Sequence, residues 1–162
     1  MQHKIENKNH CNGITHCDNK LYYCHGKEGI RQFDMKTNTN ELLVSTDIGN
    51  FSHISCDENK LIYISDTQTV SCYDMNGKQI WSFSDTSLLR EPRGVVVDND
   101  GFVFATGKLT GNLVVISPDG NSAKEVYQIS SPRAICYDKN ENKILVCHTD
   151  RKVSWFQIYV NV

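Results

Sequence analysis

One pattern of segments occurs four times along this chain of 162 residues, at intervals of about 40 residues. In each copy an apolar stretch ends in an aspartate, at Asp18, Asp57, Asp98 and Asp138. Two further apolar stretches follow each of these aspartates. Self-similarity at a fixed period of this length is the sequence signature of a repeat architecture. The fold is therefore predicted to consist of four similar units.

The later apolar stretches repeat with the same spacing. The second stretch of each unit comprises NKLYYCH (19–25), NKLIYIS (59–65), GFVFATG (101–107) and NKILVCH (142–148). The third stretch comprises IRQFD (30–34), VSCYD (70–74), LVVIS (113–117) and VSWFQ (153–157). Because three independent series share one period, coincidence is an inadequate explanation. The alignment also gives each residue of one unit its counterparts in the other units.

Each unit is predicted to form four short antiparallel strands. The apolar stretches are rich in Val, Ile, Tyr and Phe, which favour strands, and turn sequences such as DMNG (74–77) and SPDG (117–120) separate them. A fourth stretch follows the last turn, as in KQIWSF (78–83). No long segment has the periodicity of an amphipathic helix, so helix content should be very low.

Four-stranded units of this length have the size of β-propeller blades. One such sheet cannot cover both of its own faces, whereas radial stacking lets neighbouring sheets cover them. We therefore expect an all-β protein, a β-propeller of about four four-stranded antiparallel blades. A single domain would span 1–162, with blades at about 12–50, 51–91, 92–131 and 132–162. Trp81 and Trp155 should pack between blades.

The sequence leaves open how the propeller closes. The fourth unit ends after its third strand, and residues 1–11 stand where a closing outer strand would be. Within that segment, QHKIENKNH (2–10) has Ile5 as its one apolar side chain. Three arrangements are compatible with this pattern: a whole small ring of four blades, an open part of a six-bladed ring, and a homodimer that pairs the open blade edges of two chains.

The third unit, PRGVVVDNDGFVFATGKLTGNLVVISPDG (92–120), resembles an NHL repeat. It has that family's proline, small residue, aliphatic strand ending in aspartate, polar turn and Pro-Asp-Gly turn. Over residues 12–159 the pattern is similar to the C-terminal propeller of tripartite-motif (TRIM-NHL) proteins. The resemblance implies a substrate-recognition module, within a protein that could be an E3 ubiquitin ligase. The RING and B-box segments that would carry ligase activity are not among these 162 residues.

A propeller brings distant residues together on its two rims. The first rim holds the loops that lead into each blade and the loops between its second and third strands. The second rim holds the other hairpin turns. Basic residues are predicted on the first rim, and we expect them to form a binding surface: Arg93, Arg133, Lys27, Arg31, Lys108, Arg151 and Lys152. Carboxylates are predicted on the second rim, where each repeated aspartate should cap its own turn.

A basic rim suits an acidic partner. We expect a non-catalytic binding platform, with a protein as the partner, and the alternative is RNA bound through the same rim. Phe51 is the clearest aromatic residue for base stacking there. A second alternative is a propeller hydrolase or lyase with a metal in the central channel, for which His16 and His53 are the candidates. The sequence has no GxSxG, P-loop or HExxH motif.

No cofactor is expected. Zinc-ligand residue types cluster near the N-terminus, but the repeat aligns Cys24 with Cys147 and Cys17 with Cys56, at strand positions where a small thiol packs. The net charge of −2 and the short apolar stretches argue against a membrane partner. Seven cysteines without a secretory signal indicate free thiols and a cytoplasmic location.

Overall fold

The computed structural model describes residues 11–49, 51–57, 60–64 and 68–159, and this part of the chain forms four antiparallel β-sheets. The candidate closing strand at 2–10 lies outside the described residues. A 3-10 turn at Gly26–Glu28 is the one helical segment in the described ranges. None of the described residues belongs to a helix long enough to cross a membrane.

Each sheet contains the strands of one sequence unit. The first consists of β1 (Ile14–Cys17), β2 (Lys20–His25), β3 (Gly29–Asp34) and β4 (Thr39–Ser45). The second consists of β5 (His53–Cys56), β6 (Lys60–Ile64), β7 (Val70–Asp74) and β8 (Gln79–Phe83). The third consists of β9 (Pro92–Val97), β10 (Val103–Gly107), β11 (Asn112–Ile116) and β12 (Ala123–Gln128). The fourth consists of β13 (Pro132–Asp138), β14 (Lys143–His148) and β15 (Val153–Gln157).

The strands pair in chain order within every sheet, and the first strands of the four sheets stand side by side. β1 contacts β5, β5 contacts β9, and β9 contacts β13. Among the described residues no comparable contact joins β13 back to β1. The four sheets therefore form an open arc, in which the first and last sheets each have one face without a neighbouring sheet.

Apolar side chains fill the three spaces between successive sheets. Ile30, Val70 and Leu113 occupy the same repeat position, and each is 0% exposed. Each packs against the sheet that follows: Leu113, for example, shares a cluster with Ile144 and Val146 of the fourth sheet. Burial of one such side chain contributes about 1.5–3 kcal/mol. Stacking of sheets, as predicted from the repeat, thus forms the core.

Close approach of the third and fourth sheets explains the glycine after Pro92-Arg93. Gly94 faces Ile135 across the space between the sheets, and a Cβ atom at Gly94 would lie 2.6 Å from Ile135 Cγ2. The backbone N–H of Gly94 donates to Thr106 Oγ1 at 3.0 Å. A larger residue at position 94 would therefore separate the two sheets.

The two tryptophans differ in their surroundings. Trp81 packs between the second and third sheets as predicted, and its Nε1–H donates to the Pro118 carbonyl at 3.0 Å. The same prediction for Trp155 is wrong, because its side chain is 64% exposed. Trp155 lies on the face of the fourth sheet that no further sheet covers among the described residues.

Candidate functional site

The seven basic residues lie at or near the starts of first and third strands and after second strands. Arg93 and Arg133 are the second residues of β9 and β13. Lys27, Lys108 and Arg151 follow second strands, Lys152 directly precedes β15, and Arg31 is the third residue of β3. The rim thus gathers cations from the first, third and fourth sheets.

Glu91 lies among these cations and pairs with two of them. Its Oε2 atom is 3.0 Å from Lys108 Nζ and 3.2 Å from Arg93 Nη2. The Glu91 carbonyl also accepts the backbone N–H of Lys108 at 3.0 Å. The hydrogen bond from Lys108, followed by that from Arg93, holds the pKa of Glu91 below its usual value. The single carboxylate therefore offsets one of the two positive charges of Arg93 and Lys108.

Phe51 lies on the same rim, in the connection that leads into β5, and it is 55% exposed. The guanidinium carbon of Arg93 lies 4.3 Å from the centre of the Phe51 ring, which is the geometry of a cation–π contact. His53 is half-buried nearby, and burial, assisted by the charge of Arg93, lowers the pKa of its imidazole. Arg93 thus restrains the ring of Phe51, while the residue as a whole remains exposed.

Carboxylates also pair with the cations of the first and fourth sheets. Glu28 Oε2 lies 3.1 Å from Arg31 Nη1, and Asp150 Oδ2 lies 2.8 Å from Lys152 Nζ. By contrast, Lys27, Arg133 and Arg151 are exposed and form no ion pair within the described ranges. These three residues therefore contribute exposed positive charge to the rim.

Sequence reasoning missed the carboxylates on the basic rim, although the sequence contains a signal for them. Glu91 stands two residues before Arg93, Glu28 three before Arg31, and Asp150 two before Lys152. The second rim is mixed as well, since exposed Lys36, Lys78 and Lys139 lie in or beside its turns. The separation into one basic and one acidic rim is therefore weaker than the sequence indicated.

On the second rim, aspartates cap their own turns as predicted. Asp98 Oδ1 accepts the backbone N–H groups of Asp100 at 3.0 Å and Phe102 at 2.9 Å. Asp138 Oδ1 accepts those of Asn140 at 2.9 Å and Glu141 at 3.1 Å. These contacts satisfy turn donors and give those oxygen atoms a structural role.

The inner strands of the second, third and fourth sheets line a groove of about 240 Å³ along the axis. Its walls are mostly apolar or neutral, with Ile54, Val95 and Ile135 from the three strands, and Lys139 is its charged residue. Of the two histidines considered for a channel site, His16 is exposed and His53 is half-buried, and neither lines this groove. No cluster of three metal-ligating side chains occurs in the part of the chain that the structure describes.

All seven cysteines lie within the described residues, and all are free thiols. Cys17, Cys24 and Cys72 belong to the buried clusters between sheets. Burial raises the pKa of the Cys24 thiol to about 12 and that of Cys72 to about 11. Such thiols remain protonated and behave as small apolar groups.

No protein-family model and no curated protein matches the chain. Solved structures do match it. A chain in the crystal structure of the nidogen/laminin complex has a TM-score of 0.78 over 91% of this chain, at 17% identity. BamB from Moraxella catarrhalis has a TM-score of 0.73 over 91%, at 16% identity. The computationally designed Ika4 protein has a TM-score of 0.74 over 98%, at 11% identity.

These similarities concern the fold, since sequence identity is low in every case. The chain spans 60% of the matching nidogen/laminin chain and 43% of BamB, but all of Ika4. The matches agree with the four consecutive antiparallel sheets and the near absence of helix in the described residues. The chain is a β-propeller whose described sheets form an open arc.

Proposed function

We propose that this propeller is a non-catalytic platform that binds an acidic segment of a partner protein on its first rim. The observation that carries the proposal is exposed Phe51, whose ring Arg93 restrains beside a rim with exposed cations. An exposed aromatic ring offers an apolar anchor, and surrounding cations favour carboxylates on the partner.

The finer assignment is a TRIM-NHL-like propeller that recognises the substrates of a ubiquitin ligase in the cytoplasm. Its support is the repeat sequence of the third unit, in which the small residue after Pro92-Arg93 is Gly94, closely packed against Ile135. The buried free thiols agree with a reducing compartment.

A homodimer through the open edges belongs to the same proposal. Val153 and Trp155 are exposed on the last sheet, at 61% and 64%. On the first sheet, Ile14 and Leu42 are exposed at 63% and 45%. Apolar surface at both ends of one arc can be buried when two chains meet end to end.

Replacement of Arg133 with glutamate is expected to weaken binding of a labelled glutamate-rich peptide containing leucine and tyrosine by about tenfold or more, because it reverses a free charge on the rim. Phe51→Ser should weaken the same complex through loss of the apolar anchor. Fluorescence anisotropy measures both effects. Lys78→Glu, an exposed charge reversal on the second rim, is the matched control and should leave binding unchanged. Equal losses in Arg133→Glu and Lys78→Glu would contradict a site on the first rim.

RNA binding through the same rim predicts a different salt dependence. A uridine-rich single strand should lose affinity steeply between low and physiological salt, since counterion release dominates such complexes. The acidic peptide, held partly by Phe51, should lose less. Tight binding of the RNA alone, with a steep salt dependence that Arg133→Glu reduces, would replace the protein-binding proposal by the RNA alternative.

A further inference from the structure

A cavity of about 360 Å³ lies between the outer parts of the third and fourth sheets, away from the first-rim site. The third sheet contributes Phe104, Val115 and Tyr127 to its lining. The fourth contributes Ile158 and Tyr159 from the segment that follows β15. The cavity is therefore mostly apolar and opens beside the last described residue.

The other two spaces between sheets show what occupies this place elsewhere in the molecule. Between the second and third sheets, the hairpin turn before β12 covers β8, and a Cβ at Gly120 would lie 2.5 Å from Trp81 Cδ2. Between the first and second sheets, Gly77 of the turn before β8 contacts Leu43 of β4 in the same way. The cavity thus lies where a hairpin turn and a fourth strand of the fourth sheet would be.

One edge of β15 has no paired strand among the described residues. β3, β7 and β11 each pair with a fourth strand, whereas among the described residues β15 pairs with β14 alone. An edge strand presents unpaired N–H and C=O groups that can template an added strand.

Two charged residues line this cavity, Asp98 and Lys124, and Asp98 is the buried one of the two. The residue is 4% exposed, and its Oδ1 atom caps the turn before β10. Its Oδ2 atom is buried and has no hydrogen-bond partner within the described part of the chain. Burial raises the pKa of the carboxyl. A buried carboxylate oxygen without a donor is unfavourable, so a ligand donor gains binding energy once the carboxylate turns its Oδ2 atom toward the cavity.

We propose that the edge of β15 and the adjoining cavity bind an extended segment of another protein by strand addition. Apolar side chains of that segment occupy the cavity, and a lysine or arginine donates to Asp98 Oδ2. Residues 2–10 of this chain are a poor occupant, because Ile5 is their one apolar side chain. A segment that forms the turn and fourth strand of another sheet shows the required chemistry. In the second sheet this segment is DMNGKQIWSF (74–83), which contains a turn, a lysine and apolar side chains in the strand.

A labelled synthetic peptide DMNGKQIWSF is the probe, and fluorescence anisotropy with the full chain is the measurement. The peptide should bind, and the version with methionine in place of its lysine should bind about tenfold more weakly, since a hydrogen bond to a charged group is lost. In Asp98→Asn the two peptides should bind equally. Asp138→Asn, the counterpart of Asp98 on an exposed turn, is the matched control and should preserve the difference.

Hydrogen exchange locates the bound peptide. Amide exchange in Val153–Gln157 should slow when the peptide is added, and exchange near Phe51 should not change. Absence of binding, equal affinity of the two peptides for the unsubstituted chain, or protection at another strand would each overturn the proposal. So would binding that appears only after Ile5→Asp, because the chain's own N-terminal segment would then be the occupant.

Asp98→Asn should fold. The asparagine side-chain oxygen can still accept the turn N–H groups, and the substitution removes a buried charge. Because burial raises the pKa of the native carboxyl, its ionised form opposes folding, and that opposition is fully present above the raised pKa. The thermal midpoint of Asp98→Asn at neutral pH should therefore equal or exceed that of the unsubstituted chain. A large drop in midpoint would mean that Asp98 Oδ2 has a stabilising partner, which contradicts the site.

Discussion

Replacing Gly29 with alanine should destabilise the protein by about 3–5 kcal/mol, which is among the largest effects of a single substitution. Gly29 begins β3 with φ at +117° and ψ at −137°, a conformation that is essentially restricted to glycine. A Cβ atom there would overlap the carbonyl oxygen of Val44 on the paired strand β4. Either β4 moves away or β3 loses its register, and the loop that presents Lys27 is displaced with it. Urea unfolding followed by circular dichroism measures the loss.

Gly101→Ala gives the cost at a glycine with a positive φ but no close contact. Gly101 also has a positive φ, +84°, but the nearest atom to an added Cβ is Pro118 Cβ at 3.5 Å, an ordinary contact. This variant should lose about 1–2 kcal/mol, the cost of the left-handed backbone alone. If Gly29→Ala and Gly101→Ala cost the same, neither the backbone conformation of Gly29 nor its contact with Val44 adds to the loss.

The fold could be predicted because the repeat reflects two kinds of interaction: strand and turn formation within a unit, and packing between adjacent sheets. Every unit needs alternating apolar residues to form strands, polar turns to join them, and small residues where sheets approach closely. The first two requirements recur at each unit, so they appear as series in the sequence. The third is met at Gly94, which lies opposite Ile135. Closure of the arc is different in kind, because it depends on what lies beyond the first and last units.

Trp155 and Val153 illustrate why the rest could not be predicted. By alignment Val153 is the counterpart of Ile30, Val70 and Leu113, all 0% exposed, yet it is 61% exposed. All four residues are aliphatic, but the side chain at this position is buried only where another sheet follows. No following sheet exists in the described residues. A repeat thus specifies which face needs a neighbour without specifying whether the neighbour is present.

Less of the candidate site could be predicted, because the repeat determines strand positions but not side-chain pairing in the loops. The topology of a propeller places Arg93 and Lys108 on one rim, and that could be inferred from the units. Whether they remain available depends on ion pairs at about 3 Å, such as those with Glu91 Oε2. Side-chain pairing of this kind depends on loop geometry, which the repeat does not constrain. The repeat therefore indicates where Arg93 and Lys108 lie in the fold, but it does not indicate which carboxylates pair with them.

Leu113→Ala should cost about 2–5 kcal/mol, since it removes a fully buried side chain from the cluster that joins the third and fourth sheets. The clusters between other sheets should be less affected, so the fourth sheet should show the greatest loss of hydrogen-exchange protection. Chemical denaturation gives the free energy of unfolding, and exchange at β14 gives the location. A loss spread evenly over all sheets would mean that the arc unfolds as one unit.

Val70→Ala and Val153→Ala then compare one substitution at two equivalent repeat positions. Val70 is 0% exposed, so its replacement should cost about 1.5–3 kcal/mol. Val153→Ala should change stability by less than about 0.5 kcal/mol in dilute solution, because no sheet covers it there. If two chains meet end to end, the same variant should weaken self-association measured by light scattering. The stability difference between Val153→Ala and the unsubstituted chain should then grow as protein concentration rises. Equal costs for Val70→Ala and Val153→Ala in a monomer at every concentration would show that the end face is covered within one chain, and the arc would have to be closed.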